Sequence, residues 1–266
     1  EKGMLLYPTL LVENPGGDWV PMRASNFRKN NRQFDIGAAG DLDPDHPAYG
    51  FLDFDHEESR EERFAIVEEA LTEYPVDGFE LQLNYQDPHY FHPDRVEAGR
   101  HTMTEWVGRV HETLKRSGEE RELVVRIPNS VEACLSLGLD PLEWIKLGIV
   151  DVLAAEGVEG QYLNPETDFR PFVEAARSSD CRVQAVLHTR IDSDRVGDAT
   201  VESVRAAACN YWAQGVDGLY LAQWFVAWPY TRAFYEKLRE LPHPDIMAPK
   251  DKVYHILTTT SSGEVR

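Results

Sequence analysis

The segment 76–84 (VDGFELQLN) constrains the fold of this chain more than any other. Apolar and polar side chains alternate along it, which predicts a β-strand with Glu80, Gln82 and Asn84 on one face. Helical patterns precede and follow the segment, as in βαβ units whose parallel strands are buried on both faces. Three polar groups on a buried strand need partners, so the segment indicates either a functional site or a satisfied internal polar network.

Strands and helices alternate along most of the chain. The predicted strands are 4–12, 76–84, 123–127, 150–155, 182–187 and 216–222. The predicted helices are 59–74, 102–117, 142–147, 169–177, 201–214 and 231–241. This order predicts an α/β fold, either a (β/α)8 TIM-type barrel that lacks its first two strands or an open doubly wound sheet. No glycine-rich phosphate fingerprint follows any strand, which argues against a nucleotide-binding open sheet.

The length of 266 residues suits one large α/β domain or two small ones. We assign residues 1–250 to the barrel, with 14–47 as a long surface excursion rich in Gly, Pro, Asn and Asp. Residues 251–266 are predicted to be a tail leading towards a possible further domain. The N-terminus has neither an initiator Met nor signal-peptide character, which favours a trimmed or partial chain. We favour a secreted or periplasmic location over a cytoplasmic one.

Charge and composition narrow the classes of partner. A net charge of −19 argues against nucleic acid and anionic membranes as partners, and no apolar run approaches 18 residues. The three cysteines are widely spaced and form no metal motif, so they are predicted to be buried thiols. No cofactor is predicted.

Polar and aromatic residues follow several of the predicted strands. In a parallel barrel the active site lies at the carboxyl ends of the strands. The residues collected there are Asn84, Asp87, His89, Arg126, Glu156, His188, Gln223 and Trp224, with Gln82 and Tyr90 as further candidate substrate ligands. Carboxylates beside amides and aromatic platforms are what glycoside hydrolysis uses, so a carbohydrate substrate is predicted.

Glu156 is the best acid/base candidate, because it directly follows an apolar strand. The partner carboxylate is Glu80 or Asp87. Each has a structural alternative: Glu156 as an ordinary loop carboxylate, Glu80 as the ion-pair partner of Arg126, and Asp87 as the first residue of an Asp-Pro turn.

Two other classes of function stay open. A non-catalytic sugar-binding barrel is favoured if Glu80 is ion-paired and Glu156 points away from the site. A metal-dependent isomerase or aldolase requires Asp87, His89 and Glu156 to converge on an ion, although the irregular segment around His89 lacks the register of a zinc-protease helix.

Several short motifs resemble, in the same order, the glycosyl-hydrolase-like barrels described as family 10-like. The motifs are YGFLDFDHEESR (49–60), VDGFEL (76–81), DPHYFHP (87–93), MTE (103–105), VRIP (125–128), GLD (138–140), Trp144, GIVD (148–151), NYW (210–212), GVDGLYL (215–221) and KDKVY (250–254). Gln82 stands where that family has an acidic residue. The resemblance implies a TIM barrel and a hydrolase of glycosidic bonds. It also implies that the segment 4–12 is the third barrel strand, so that a missing N-terminal segment or a partner chain completes the barrel.

Overall fold

The computed structural model describes residues 3–13, 25–85, 87–157, 162–191, 197–222 and 230–254. The strands in these ranges are β1 Thr9–Leu11, β2 Gly78–Gln82, β3 Glu122–Pro128, β4 Val152–Glu156, β5 Arg182–Leu187, β6 Arg190–Ile191, β7 Gly197–Asp198 and β8 Gly218–Leu221. The α-helices are α1 Asn26–Asn30, α2 Glu57–Glu73, α3 Val96–Ser117, α4 Val131–Ser136, α5 Pro141–Leu147, α6 Arg170–Ala176, α7 Val201–Ala213, α8 Arg232–Glu240 and α9 Pro244–Met247.

The main sheet confirms the predicted barrel-type order. Its six strands are parallel and are hydrogen-bonded in the order β1-β2-β3-β4-β5-β8, which is their order along the chain. A doubly wound sheet would instead reverse its order at a switch point. The fold is therefore an incomplete α/β barrel. The short antiparallel pair of β6 and β7, which the sequence patterns did not predict, forms a separate ribbon.

The described chain divides into two compact units. The first comprises residues 1–127, 131–153 and 179–181, and the second comprises residues 128–130, 154–178 and 182–266. In the first unit, α2 buries Phe64, Val67 and Leu71, which recur at helical spacing. In the second, α7 buries a stripe of small residues together with Val204 and Tyr211.

Aspartate residues at the amino ends of three strands fix the pairing register. Each Asp accepts a hydrogen bond at its carboxylate from the amide of a residue in the neighbouring strand or its lead-in, at 2.7 or 2.8 Å. Its own amide donates to the carbonyl of that same residue, at 2.8, 2.9 or 3.1 Å. We call this two-bond arrangement the aspartate clasp. The clasps join Asp77 to Leu6, Asp151 to Leu123 and Asp217 to Val183.

Gly78, the residue after Asp77, has no room for a side chain. A Cβ atom at Gly78 would lie 2.1 Å from the ring of Tyr7 and 2.5 Å from the carbonyl oxygen of Glu122. Only glycine therefore allows β2 to begin between its two neighbours.

The first predicted strand is shorter than expected. The sequence predicted 4–12, whereas β1 covers only Thr9–Leu11. Pro8 carries no amide hydrogen and cannot donate to a ladder, which ends the regular pairing. The preceding side chains are exposed, at 80% for Met4, 65% for Leu5 and 59% for Leu6.

The described part of the surface excursion packs with the residues that follow it. Ile36 is buried together with Ala48 and Phe51, and Leu42 packs against them. Ser25 caps α1 by accepting a hydrogen bond from the amide of Arg28 at 3.2 Å. Residues 251–254 of the predicted tail form no regular element, and residues 255–266 lie outside the described ranges. Among the helices that the structure describes, none is long and apolar enough to cross a bilayer.

We expect Asp151→Ala to destabilise the protein more than Asp77→Ala. Asp151 is partly buried and also binds the Lys115 ammonium at 2.8 Å, whereas Asp77 is exposed. Loss of a charge-assisted bond should lower the unfolding free energy by about 2 kcal/mol for Asp151→Ala and by less than about 1 kcal/mol for Asp77→Ala. Urea denaturation measures both, with exposed Asp180→Ala as the charge control. Equal losses for Asp151→Ala and Asp180→Ala would contradict a role for the clasp.

Candidate active site at the carboxyl ends of the strands

A buried carboxylate–imidazole pair lies at the carboxyl ends of β4 and β5. Glu156 is the last residue of β4, and His188 directly follows β5. Nε2 of His188 lies 2.7 Å from Oε1 of Glu156, and both residues are buried. Sheet order places these two strands side by side, so the residues at their carboxyl ends are neighbours.

The backbone at Glu156 is also held in place. Its carbonyl oxygen accepts a hydrogen bond from the amide of Asn129 at 2.7 Å, just beyond the end of β3. Both the carboxylate and the main chain of Glu156 are therefore bonded. These two bonds restrain the side chain, as a site that must present a group in one orientation requires.

The chemistry available to this pair is proton transfer and charge stabilisation. A carboxylate fixed by an imidazole can act as a base, as a nucleophile or as the orienting member of a dyad. The sequence predicted Glu156 as an acid/base group, and the structure places it beside His188. The sequence patterns did not predict this pairing.

The predicted contact between Glu80 and Arg126 is confirmed. Nε of Arg126 lies 3.7 Å from Oε1 of Glu80, and the two side chains are 12% and 5% exposed. In the register of β2 and β3, Arg126 is opposite Gln82, so its contact with Glu80 is diagonal across the same face. The polar face of the central strand therefore carries a buried ion pair.

The loop after β2 holds three further candidates in different surroundings. Asn84 is half-buried, and Asp87 is exposed with a left-handed φ of 50°. His89 is half-buried, with its ring 5.3 Å from Phe51 and 6.4 Å from His46 between centroids. Burial, reinforced by the neighbouring charge of His46, lowers the pKa of His89, so this imidazole is held neutral.

Tyr90 is buried in the protein interior. It is 1% exposed and packs edge-on against Phe54, with 5.4 Å between ring centroids. Its hydroxyl has no hydrogen-bond partner among the described residues, and burial raises its pKa well above the usual range.

Sequence reasoning missed Glu13. This residue lies two positions beyond β1, is 1% exposed, and accepts hydrogen bonds from the Leu52 amide at 3.4 Å and from Nη2 of Arg63 at 3.3 Å. Burial outweighs Arg63 and Arg28 and raises the pKa of Glu13 to about 7. A signal was present in the sequence, because Glu13 directly follows a predicted strand, as Glu156 does.

The two other predicted substrate ligands, Gln223 and Trp224, lie outside the described residues. Within the described ranges, no three His, Cys, Asp or Glu side chains come close enough together to hold a metal ion. The isomerase or aldolase alternative requires Asp87, His89 and Glu156 to bind one ion together. The described residues contain no such group.

Comparison with known proteins identifies no family. No protein-family model and no curated protein sequence matches the chain. Solved structures with similarity include the endo-1,4-β-mannanase of Rhizomucor miehei (TM-score 0.47, 11% identity, covering 74% of this chain and 64% of that one). The endo-β-1,4-mannanase of Thermotoga petrophila gives a TM-score of 0.42 at 15% identity, covering 64% of this chain and 42% of that one. Type I 3-dehydroquinate dehydratase of Clostridium difficile gives a TM-score of 0.40 at 16% identity, covering 61% of this chain and 57% of that one. The matched region thus spans less than two thirds of each of these chains.

We expect Arg126→Ala to destabilise the protein by about 3–5 kcal/mol, because the change leaves the buried Glu80 carboxylate without its cation. Urea denaturation measures the loss. The double variant Glu80→Gln/Arg126→Ala is the matched control and should recover part of it, since no buried charge then remains. If Arg126→Ala unfolds at the same urea concentration as the wild type, the pair contributes nothing to stability.

Glu13 should make the stability of the protein pH-dependent. Its pKa is raised in the folded state, so its contribution is fully present below the unfolded value of 4.5 and is lost as pH rises through about 7. The unfolding free energy of the wild type should fall relative to Glu13→Gln by on the order of 3 kcal/mol across that window.

Denaturation at several pH values tests this expectation. Exposed Glu97→Gln removes the same charge and should show no such window. Parallel stability–pH curves for the wild type and Glu13→Gln would refute the expectation.

Proposed function

We propose that this chain, or the longer protein to which it belongs, cleaves glycosidic bonds with Glu156 as one member of a carboxylate pair. The observation that carries the proposal is the buried hydrogen bond between Glu156 and His188 at 2.7 Å, at the carboxyl end of adjacent parallel strands. Active sites of (β/α) barrels lie at this end, and the reaction needs a carboxylate held in a defined protonation state.

The second carboxylate of the pair is Asp87 or Glu80. Glu80 is engaged with Arg126, whereas Asp87 is exposed and accessible to a ligand. Asp87 is therefore the favoured partner. A separation of about 5 Å between the two carboxyl groups would give retention of configuration, and about 6.5–9.5 Å would give inversion.

The remaining predicted residues are proposed substrate contacts. Amides and aromatic or imidazole rings recognise sugar hydroxyls and ring faces, and Asn84 and His89 are the half-buried examples in the described loop after β2. Gln82 and Tyr90 are assigned to the same role, as are Arg126, Gln223 and Trp224.

A non-catalytic sugar-binding barrel is the second candidate function. The Glu80–Arg126 pair favours it, because a neutralised Glu80 offers hydrogen bonds without acid or base chemistry. Glu156 distinguishes the two candidates, since a binding protein has no need for an ionised carboxylate at that position.

We further propose that another segment or a partner chain completes the barrel beside β1. β1 is an edge strand of the sheet, and the apolar side chains of Met4, Leu5 and Leu6 before it are largely exposed. Exposed strand edges and apolar side chains are normally covered in soluble proteins.

Glu156→Gln should reduce turnover by about 10³-fold, because the amide can neither exchange a proton nor attack. Release of reducing ends from a panel of neutral and acidic polysaccharides measures turnover, and calorimetry checks that the variant still binds a responsive substrate. Exposed Glu166→Gln is the matched control and should retain wild-type activity.

Two outcomes contradict the proposal. If Glu156→Gln hydrolyses the substrate as fast as the wild type does, Glu156 is not catalytic. If wild type and variant bind a sugar equally and neither cleaves it, the sugar-binding function replaces hydrolysis.

A further inference from the structure

We propose that His188 is a positioning residue that holds Glu156 as an ionised carboxylate, so that Glu156 acts as the base or nucleophile and not as the acid. The inference rests on the proposed function and deepens it by assigning the roles within the carboxylate pair. It follows from the geometry of the pair, the exposure of its two members and the chemistry of the imidazole.

The distance between the two side chains indicates a charge-assisted bond. Nε2 of His188 and Oε1 of Glu156 are 2.7 Å apart, the short end of the range for an N–H donor and an ionised acceptor. A carboxyl group is in general a stronger acid than an imidazolium, so we assign the shared proton to nitrogen and the donor role to the imidazole. A hydrogen bond donated to the charged form stabilises that form.

The exposure of the two side chains decides which member acts on a substrate. The Glu156 side chain is 12% exposed and the His188 side chain 4%, so the carboxylate is the more accessible group. In the opposite arrangement, an acting histidine oriented by a carboxylate, the imidazole would be the accessible member. His188 therefore acts through Glu156.

With Glu156 ionised, the proton moves from water to Glu156, or Glu156 attacks the sugar directly. The Glu156 carboxylate is the group that acts. As a base it takes a proton from water, whose oxygen bonds to the anomeric carbon while the bond to the leaving sugar oxygen breaks. As a nucleophile the carboxylate itself bonds to the anomeric carbon, and water later releases the sugar. In either case the leaving oxygen takes its proton from the partner carboxyl group, for which Asp87 is the favoured candidate.

The tautomer of His188 tests the inference on the protein alone. Nitrogen-15 NMR at pH 8 resolves the ring nitrogens of the nine histidines, and His188→Gln assigns the signal. We expect Nε2 to carry the proton, with exchange against water that is slow in the wild type and fast in Glu156→Ala. An unprotonated Nε2 would mean that Glu156 is the donor, and would overturn the inference.

Activity on a responsive polysaccharide gives the second readout. His188→Leu removes the donor and should lower kcat by about 100-fold with little change in KM, whereas His188→Gln retains a donor and should recover most of the loss. Tyr211→Phe is the control, because it removes another buried hydrogen bond of the same unit, from the Tyr211 hydroxyl to the Asn164 carbonyl at 2.5 Å, and should leave kcat unchanged.

The two proposals fail in distinguishable ways. Wild-type kcat in His188→Leu, or an unprotonated Nε2, overturns the positioning role while hydrolysis by Glu156 stands. Absence of hydrolysis in the wild type overturns the proposed function, and the tautomer still decides whether His188 holds Glu156 ionised.

Discussion

The aspartate clasps are the interaction on which the rest of the sheet depends. Parallel strands share no tight turn, so their register must be set by side chains or by packing. An Asp that binds both the amide and the carbonyl of one residue allows only one alignment of the two strands. A slip by a single residue would move Glu80 to the opposite face of β2 and the apolar Phe79 to its place, and would break both bonds of the clasp. The amino ends of the strands thereby determine which side chains meet further along them.

Three buried carboxylates lie on the strands or just after them, each beside a different basic side chain. Glu13 contacts Arg63, Glu80 contacts Arg126, and Glu156 contacts His188. A guanidinium stays charged at every pH that a protein tolerates, so Arg63 and Arg126 cannot exchange a proton with their carboxylates. An imidazole can instead donate or accept a proton, so the third pair is the one suited to proton transfer. The identity of the partner, more than burial, separates the candidate catalytic carboxylate from the structural ones.

Burial has a different consequence at Glu13. Desolvation there outweighs two nearby arginines and raises the pKa to about 7, so a group that bonds the end of β1 to Leu52 and α2 changes charge near neutrality. Stability and charge are therefore linked at Glu13. This does not make Glu13 catalytic, because its side chain is almost fully enclosed.

The sequence by itself determined the alternation of elements, the barrel-type order and the Glu80–Arg126 pair. Periodicity reports which face of an element is apolar, and opposite charges on neighbouring buried strands must meet. The tertiary structure decided the rest. It paired Glu156 with His188, enclosed Tyr90 and Glu13, and left Asp87 exposed. Those outcomes depend on contacts between residues tens of positions apart and on the desolvation that packing imposes, neither of which a local pattern encodes.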